Sequence, residues 1–186
     1  MSHKIVCALV FAALFLSLLA PASAITVSEL VASDGAAGDN FGWSVAIIGN
    51  VAVVGAPFAN VGSNVSQGIV YVFVKSGASW SQVATLTASD GVAYQQFGGA
   101  VAIGRNTIVV GGRNSSDNLV YVFVEPNGGW TDMTQTAELS GVEGGLGSSV
   151  AISTDGKTIV AGAPNWDGAS GGAFVYYEPT AGWANT

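Results

Sequence analysis

The chain has 186 residues, 26 of them glycine, and a formal charge of −7 from twelve carboxylates against five Lys and Arg. Cys7 is its only cysteine and His3 its only histidine. A single copy therefore forms no disulfide, assembles no Cys/His zinc site and supports no histidine-dependent nucleophile. A handful of scattered bases also excludes a nucleic-acid surface, which needs a basic patch.

The N-terminus reads as an export signal. Ser2, His3 and Lys4 are polar or basic, Ile5 to Ala20 carry no charge, and Pro21-Ala22-Ser23-Ala24 supplies the small residues of a cleavage site. An uncleaved anchor, the alternative, wants about 20 apolar residues. Cleavage after Ala24 removes Cys7, His3 and Lys4 and leaves residues 25–186 with a formal charge of −8. The expected location is secreted, extracellular or at the cell surface, with no membrane span after cleavage.

Residues 25–186 repeat themselves three times. GIVYVFVKSGASW, NLVYVFVEPNGGW and GAFVYYEPTAGW align on Tyr71, Tyr121 and Phe174, each followed by a tryptophan (Trp80, Trp130, Trp183). Upstream of each lies a second shared block, FGWSVAIIGNVAVVGAP, FGGAVAIGRNTIVVGGR and LGSSVAISTDGKTIVAGAP, led by Phe41, Phe97 and Leu146. The units are expected over about 41–88, 97–139 and 146–186, with a leading outer strand at 26–32 that parallels the end of the first unit. Within a unit the pattern predicts strand a (43–48, 99–103, 148–152), strand b (51–55, 107–111, 158–162), strand c (68–74, 118–124, 172–177) and strand d (80–88, 130–139). Gly49-Asn50, Gly104-Arg105-Asn106 and Asp155-Gly156 tolerate the positive φ of tight a–b turns.

Strands a to c are nearly continuous apolar runs, which means burial on both faces. A four-stranded sheet achieves that when it lies between sheets like itself. A period near 50 residues then fits the blades of a propeller. The expected class is all-β, a partial β-propeller of three four-stranded antiparallel blades; a sandwich of repeated hairpins is the competing architecture. The recurring tryptophans are expected to serve blade packing rather than to cage a ligand.

The paired blocks resemble the FG-GAP repeat of integrin α-subunit propellers and bacterial surface proteins. Phe41-Gly42 with Gly55-Ala56-Pro57 matches throughout. Phe97-Gly98 with Gly111-Gly112-Arg113 matches in part, and Leu146-Gly147 with Gly162-Ala163-Pro164 puts Leu for Phe. The resemblance implies a propeller, usually of seven blades, and a binding rather than catalytic role. Many members hold calcium in a D-x-D-x-D-G-like a–b loop. The a–b loops here are tight hairpin turns with at most one carboxylate, whereas calcium wants six to eight oxygens, so no cofactor is expected. Three blades are fewer than a closed ring needs, so missing blades or self-association is expected.

In such propellers the d–a and b–c loops share one face, and family members that bind partners commonly use it. The candidate ligand face here is Asp39, Asn40, Tyr94, Gln95, Trp166 and Asp167, with aromatics among amides and carboxylates suited to a protein or glycan. Asp34-Gly35, Asp90-Gly91 and Asp167-Gly168 also read simply as turn formers. Asn64-Val65-Ser66 and Asn114-Ser115-Ser116 are glycosylation sequons. Loop carboxylates such as Asp34 and Asp39 leave a hydrolase fragment as the alternative function, and a truncated product without a role of its own as a third.

Overall fold

A computed structural model describes residues 25–113 and 118–186. The signal-peptide expectation for residues 1–24 lies outside them. Eleven strands form three antiparallel sheets in chain order. The first is β1 (Ser44–Ile48), β2 (Val51–Ala56), β3 (Ile69–Ser76) and β4 (Ser79–Leu86). The second is β5 (Ala100–Gly104), β6 (Thr107–Arg113), β7 (Asn118–Val124) and β8 (Ala137–Leu139). The third has only β9 (Ser149–Ile152), β10 (Thr158–Ala163) and β11 (Gly172–Tyr177). In each sheet neighbours in sequence are neighbours in space, as expected for strands a to d.

The turns follow from backbone chemistry. Gly49 (φ 53°), Arg105 (φ 48°) and Gly156 (φ 78°) take the left-handed residue of the three a–b turns. The third turn is longer and closes on itself. The Asp155 carboxylate accepts from the Ser153 hydroxyl and the Lys157 N–H, which holds its pKa below the usual carboxylate value.

Strand d departs from expectation, and proline explains why. β3 continues to Ser76 and pairs through Ser76↔Ser79 into β4. In the later units Pro126 and Pro179 take the place of Ser76 and have no N–H for the ladder. β7 and β11 accordingly stop two residues earlier, at Val124 and Tyr177. The second strand d shrinks from 130–139 to β8, and Met133 instead bridges in parallel to Leu86 of the first sheet. Residues 26–32 form no strand either: Leu30 and Ala32 pack beneath the first sheet, and the Ser33 N–H donates to Gln82.

The sheets stack in series. β1 lies beside β5 and β5 beside β9, so the innermost strands are adjacent. One apolar cluster fills the first seam, setting Val53, Val70 and Val72 of the first sheet against Ile108, Tyr121 and Phe123 of the second. A second cluster repeats it, with Val109, Val120 and Val122 against Ile159, Ala161 and Phe174. Burying an aliphatic or aromatic side chain of this size contributes about 1.5–3 kcal/mol, so each sheet depends on its neighbour. Trp130 and Trp183 are buried in these seams, while Trp80 packs on the first sheet's other face with Lys75 Nζ 6.0 Å from its ring centroid. The tryptophans pack, as expected.

Close main-chain approach sets the seams. The Gly55 position faces the Gly98 carbonyl so tightly that a Cβ there would stand 2.1 Å from the oxygen, and Gly111 faces Gly147 in the same way at 1.9 Å. Ser44 Oγ donates across the first seam to Gly98 O at 2.7 Å.

Candidate functional site

One turn, used three times, builds the loop face. Asn40, Gln96 and Gly145 take left-handed φ values of 55°, 52° and 89°; each precedes the Phe-Gly or Leu-Gly pair and accepts a hydrogen bond from the residue three further on. The central apolar residue is thereby driven inward. Phe41 meets Tyr71 and Phe73 edge-on at 5.6 and 6.0 Å, and Phe97 meets Tyr121 and Phe123 at 5.3 and 5.9 Å. The residue that closes the turn, Trp43, Gly99 or Ser148, is left at the rim.

Those three rim residues converge on one cleft. It encloses about 180 Å³ between Trp43, Pro57 and Phe58 of the first unit, Gln96 and Gly99 of the second, and Ser148 of the third. Trp43 is 60 % exposed and stands edge-on to Phe58 at 5.5 Å. A large apolar plate, an amide and a hydroxyl therefore border a single opening, the composition of a recognition site. Trp43 and Ser148 were not among the residues expected from sequence. Their place in an FG-type turn was readable, but the convergence of three such turns on one opening was not.

The expected face divides. Asn40 is exposed beside Trp43, whose N–H it accepts, while Asp39 is half-buried and accepts from the Ala36 N–H through its carboxylate. Tyr94 is exposed, with its N–H tied to Val65 O. Trp166 and Asp167 line a separate, shallow cleft with Glu143 and Asn165. Trp166 rests edge-on against Phe174 at 5.6 Å. Asp167, Gly168 and Ala169 take φ values of 48°, 65° and 72° within α1 (Trp166–Ala169), a left-handed turn rather than a regular helix.

Gln95 must be removed from the face. It is wholly buried, its Nε2 donates to the Tyr121 hydroxyl at 2.5 Å, and its Oε1 has no partner. That same hydroxyl donates to Asp90 at 3.1 Å, and the Asp34 carboxylate lies near the Tyr71 hydroxyl in the first sheet. Burial first and the nearby carboxylate second push both phenols well above the ordinary tyrosine value. Asp90 thus anchors a buried tyrosine of strand c, a stronger role than forming a turn, and Asp34 lies beside the equivalent Tyr71. The third unit lacks both partners: Phe174 replaces the tyrosine, and the loop between Leu139 and Leu146 is shorter and carries no aspartate at the matching place.

Asn64, in the first sequon, is tied into the loop face. Its Nδ2 donates to Gln67 Oε1 at 2.8 Å and to Gly91 O at 2.9 Å. It thereby joins the b–c loop of the first unit to the d–a loop of the second, and a glycan on Nδ2 would break part of that junction. Asn114 lies outside the described residues, as do Asp117 and the side chain of Arg113.

The FG-GAP repeat family matches the chain over residues 26–73 and 80–123, each stretch running from the segment before a sheet into its strand c. No curated protein matches the chain. The third sheet repeats the strand order and Gly–Gly contact of the matched units beyond their limit. Phe41-Gly42 and Phe97-Gly98 lie inside the matched stretches, at the turns that build the cleft. By these repeats the chain belongs to the FG-GAP repeat family.

Proposed function

We propose that the chain is a secreted or cell-surface interaction module whose ligand site is the cleft around Trp43. The observation that carries this reading is the convergence of Trp43, Gly99 and Ser148, equivalent residues of three units, on one opening with an exposed aromatic at its edge. The ligand class it suits is a protein loop or a glycan: a flat apolar group against Trp43 and Phe58, with polar groups toward Gln96 and Ser148. The FG-GAP repeat is typically a binding module without enzymatic activity, which supports the same reading.

Hydrolysis by loop carboxylates has less support. Asp39 is engaged with the Ala36 N–H, so this acid serves the loop that carries it. Among the described residues no helix is long and apolar enough to cross a membrane.

The test is a screen of immobilised glycans and matrix proteins with the wild-type chain and with Trp43→Ala, Trp166→Ala and Ser148→Tyr. Loss of a hit with Trp43→Ala and Ser148→Tyr, but not with Trp166→Ala, supports the cleft. A ligand held equally by all three variants rules this site out.

A further inference from the structure

Each internal seam joins one trailing face to one leading face, and the chain carries a spare of each. Val160 and Val175 of the third sheet occupy the places of Val53 and Val72 in the first and of Val109 and Val122 in the second. Those four valines are fully buried under the next sheet, whereas Val160 and Val175 are 37 % and 48 % exposed. At the other end Val45 and Ile47 of β1 occupy the places of Val101 and Ile103, which are packed into the first seam. They are 69 % and 65 % exposed.

The main chain repeats the pattern. Gly162 stands where Gly55 and Gly111 stand, without a left-handed φ, and a Cβ there would meet only Ser149 of its own sheet. Gly42, the counterpart of Gly98 and Gly147, has nothing within 4 Å of such a position. The two halves of a third glycine contact are therefore present and apart. Ser149, in the place of the seam-crossing Ser44, is exposed.

The third element is a strand. β11 is the edge of a three-stranded sheet whose counterparts have four strands. Ser28-Glu29-Leu30 matches Ala84-Thr85-Leu86 and Ala137-Glu138-Leu139, the outer-strand residues opposite Val72-Tyr71-Val70 and Val122-Tyr121-Val120. Among the described residues it pairs with no strand. An edge without its outer strand and an outer strand without a sheet lie in one chain.

From these three complementary pairs we infer that the trailing face of the third sheet takes the leading face of the first sheet of a second copy. Ser28, Glu29 and Leu30 of that copy lie opposite Val175, Phe174 and Ala173 and supply the missing strand. Such a head-to-tail contact is heterologous, so it either closes or grows without limit. Propellers close with about four to eight blades, and six is the one multiple of three in that range. Two copies of residues 25–186, with three sheets each, thus make a six-bladed ring with two identical new seams. This inference does not depend on the ligand proposed for the Trp43 cleft.

The test is the mass in solution of the 186-residue chain, by sedimentation or light scattering. The wild type should run as two copies at micromolar concentration. Val175→Glu and Ile47→Glu change side chains that are exposed in the single chain, so each should keep its far-UV circular dichroism yet run as one copy. Mixing the two variants should restore a two-copy species, because one seam remains intact between them. In the wild type the amides of Gly172–Tyr177 should exchange roughly tenfold or more slowly than in either variant. A one-copy wild type, an Ile47→Glu variant that keeps the wild-type mass, or an assembly that grows past two copies overturns the inference.

Discussion

Val122 and Val175 occupy the same place in strand c of successive sheets, yet one is fully buried and the other half exposed. Their sequences do not separate them, since both sit in apolar runs ending in aromatics. What differs is the neighbour: the second sheet is covered by the third, and among the described residues no further sheet covers the third. An apolar run in a stacked sheet thus reports what the strand is built to meet. Burial itself is a property of the pair.

The largest test of this contrast is a carboxylate at each position. Val122→Asp places an unpaired charge inside the second seam, at a cost of several kcal/mol, against a typical domain stability of about 5–15 kcal/mol. It should abolish cooperative urea unfolding. Val175→Asp should leave the fold of a single chain within about 0.5 kcal/mol of the wild type. Equal damage at both sites would mean that the trailing face of the third sheet is covered within the chain.

The same two sheets offer a pair of hydroxyl deletions with opposite signs. Tyr121→Phe strips the donor from Asp90 and the acceptor from Gln95 Nε2, and should cost about 1–3 kcal/mol. Tyr176 stands where Phe73 and Phe123 stand in the other sheets, and its buried hydroxyl has no partner. Tyr176→Phe should therefore stabilise the chain by about 1 kcal/mol. Urea midpoints of the two variants decide the matter, and a loss of stability in Tyr176→Phe would refute the assignment.

Alkaline titration sharpens it further. Tyr71 and Tyr121 are raised in the fold above the ordinary tyrosine value of 10.0. Below that pH both states keep the proton and the contribution is intact. Above it the unfolded chain releases protons that the fold retains, so stability falls as pH rises. The double variant Tyr71→Phe/Tyr121→Phe should show a flatter decline above pH 10 than the wild type, measured by urea unfolding at fixed steps of pH. Parallel curves would show that these phenols do not set the slope.

Much of the fold was legible because the three units repeat in phase. Strands a, b and c fall within one or two residues of where their apolar runs and turn glycines put them. The failures have local causes that were also written in the chain. Pro126 removes a ladder donor and shortens the second strand d. Residues 26–32 match an outer strand in sequence, but among the described residues no sheet ahead of them offers an edge to join. The candidate site was less legible because exposure in a d–a loop depends on the seam beneath it. Gln95 and Gln96 are adjacent amides, yet one turns inward to Tyr121 and the other borders the cleft. The placing of Asp34 beside Tyr71 and of Asp90 beside Tyr121, absent together from the third unit, was present as a correlated difference between repeats.

The smallest expected effect on stability is the most telling for function. Trp43 and Val45 lie on the same unit, but Trp43 leans on Phe58 at the cleft while Val45 lies on the open leading face. Trp43→Ala removes one exposed edge-on contact and should shift the urea midpoint by no more than about 0.5 kcal/mol, with no change in the number of copies in solution. Val45→Glu should be as mild in a single chain but should lower the assembled mass. If ligand capture falls with Trp43→Ala alone, recognition and assembly occupy different surfaces of the first unit. If Val45→Glu abolishes capture while Trp43→Ala spares it, the ligand is held across copies, and the cleft within one chain is not its site.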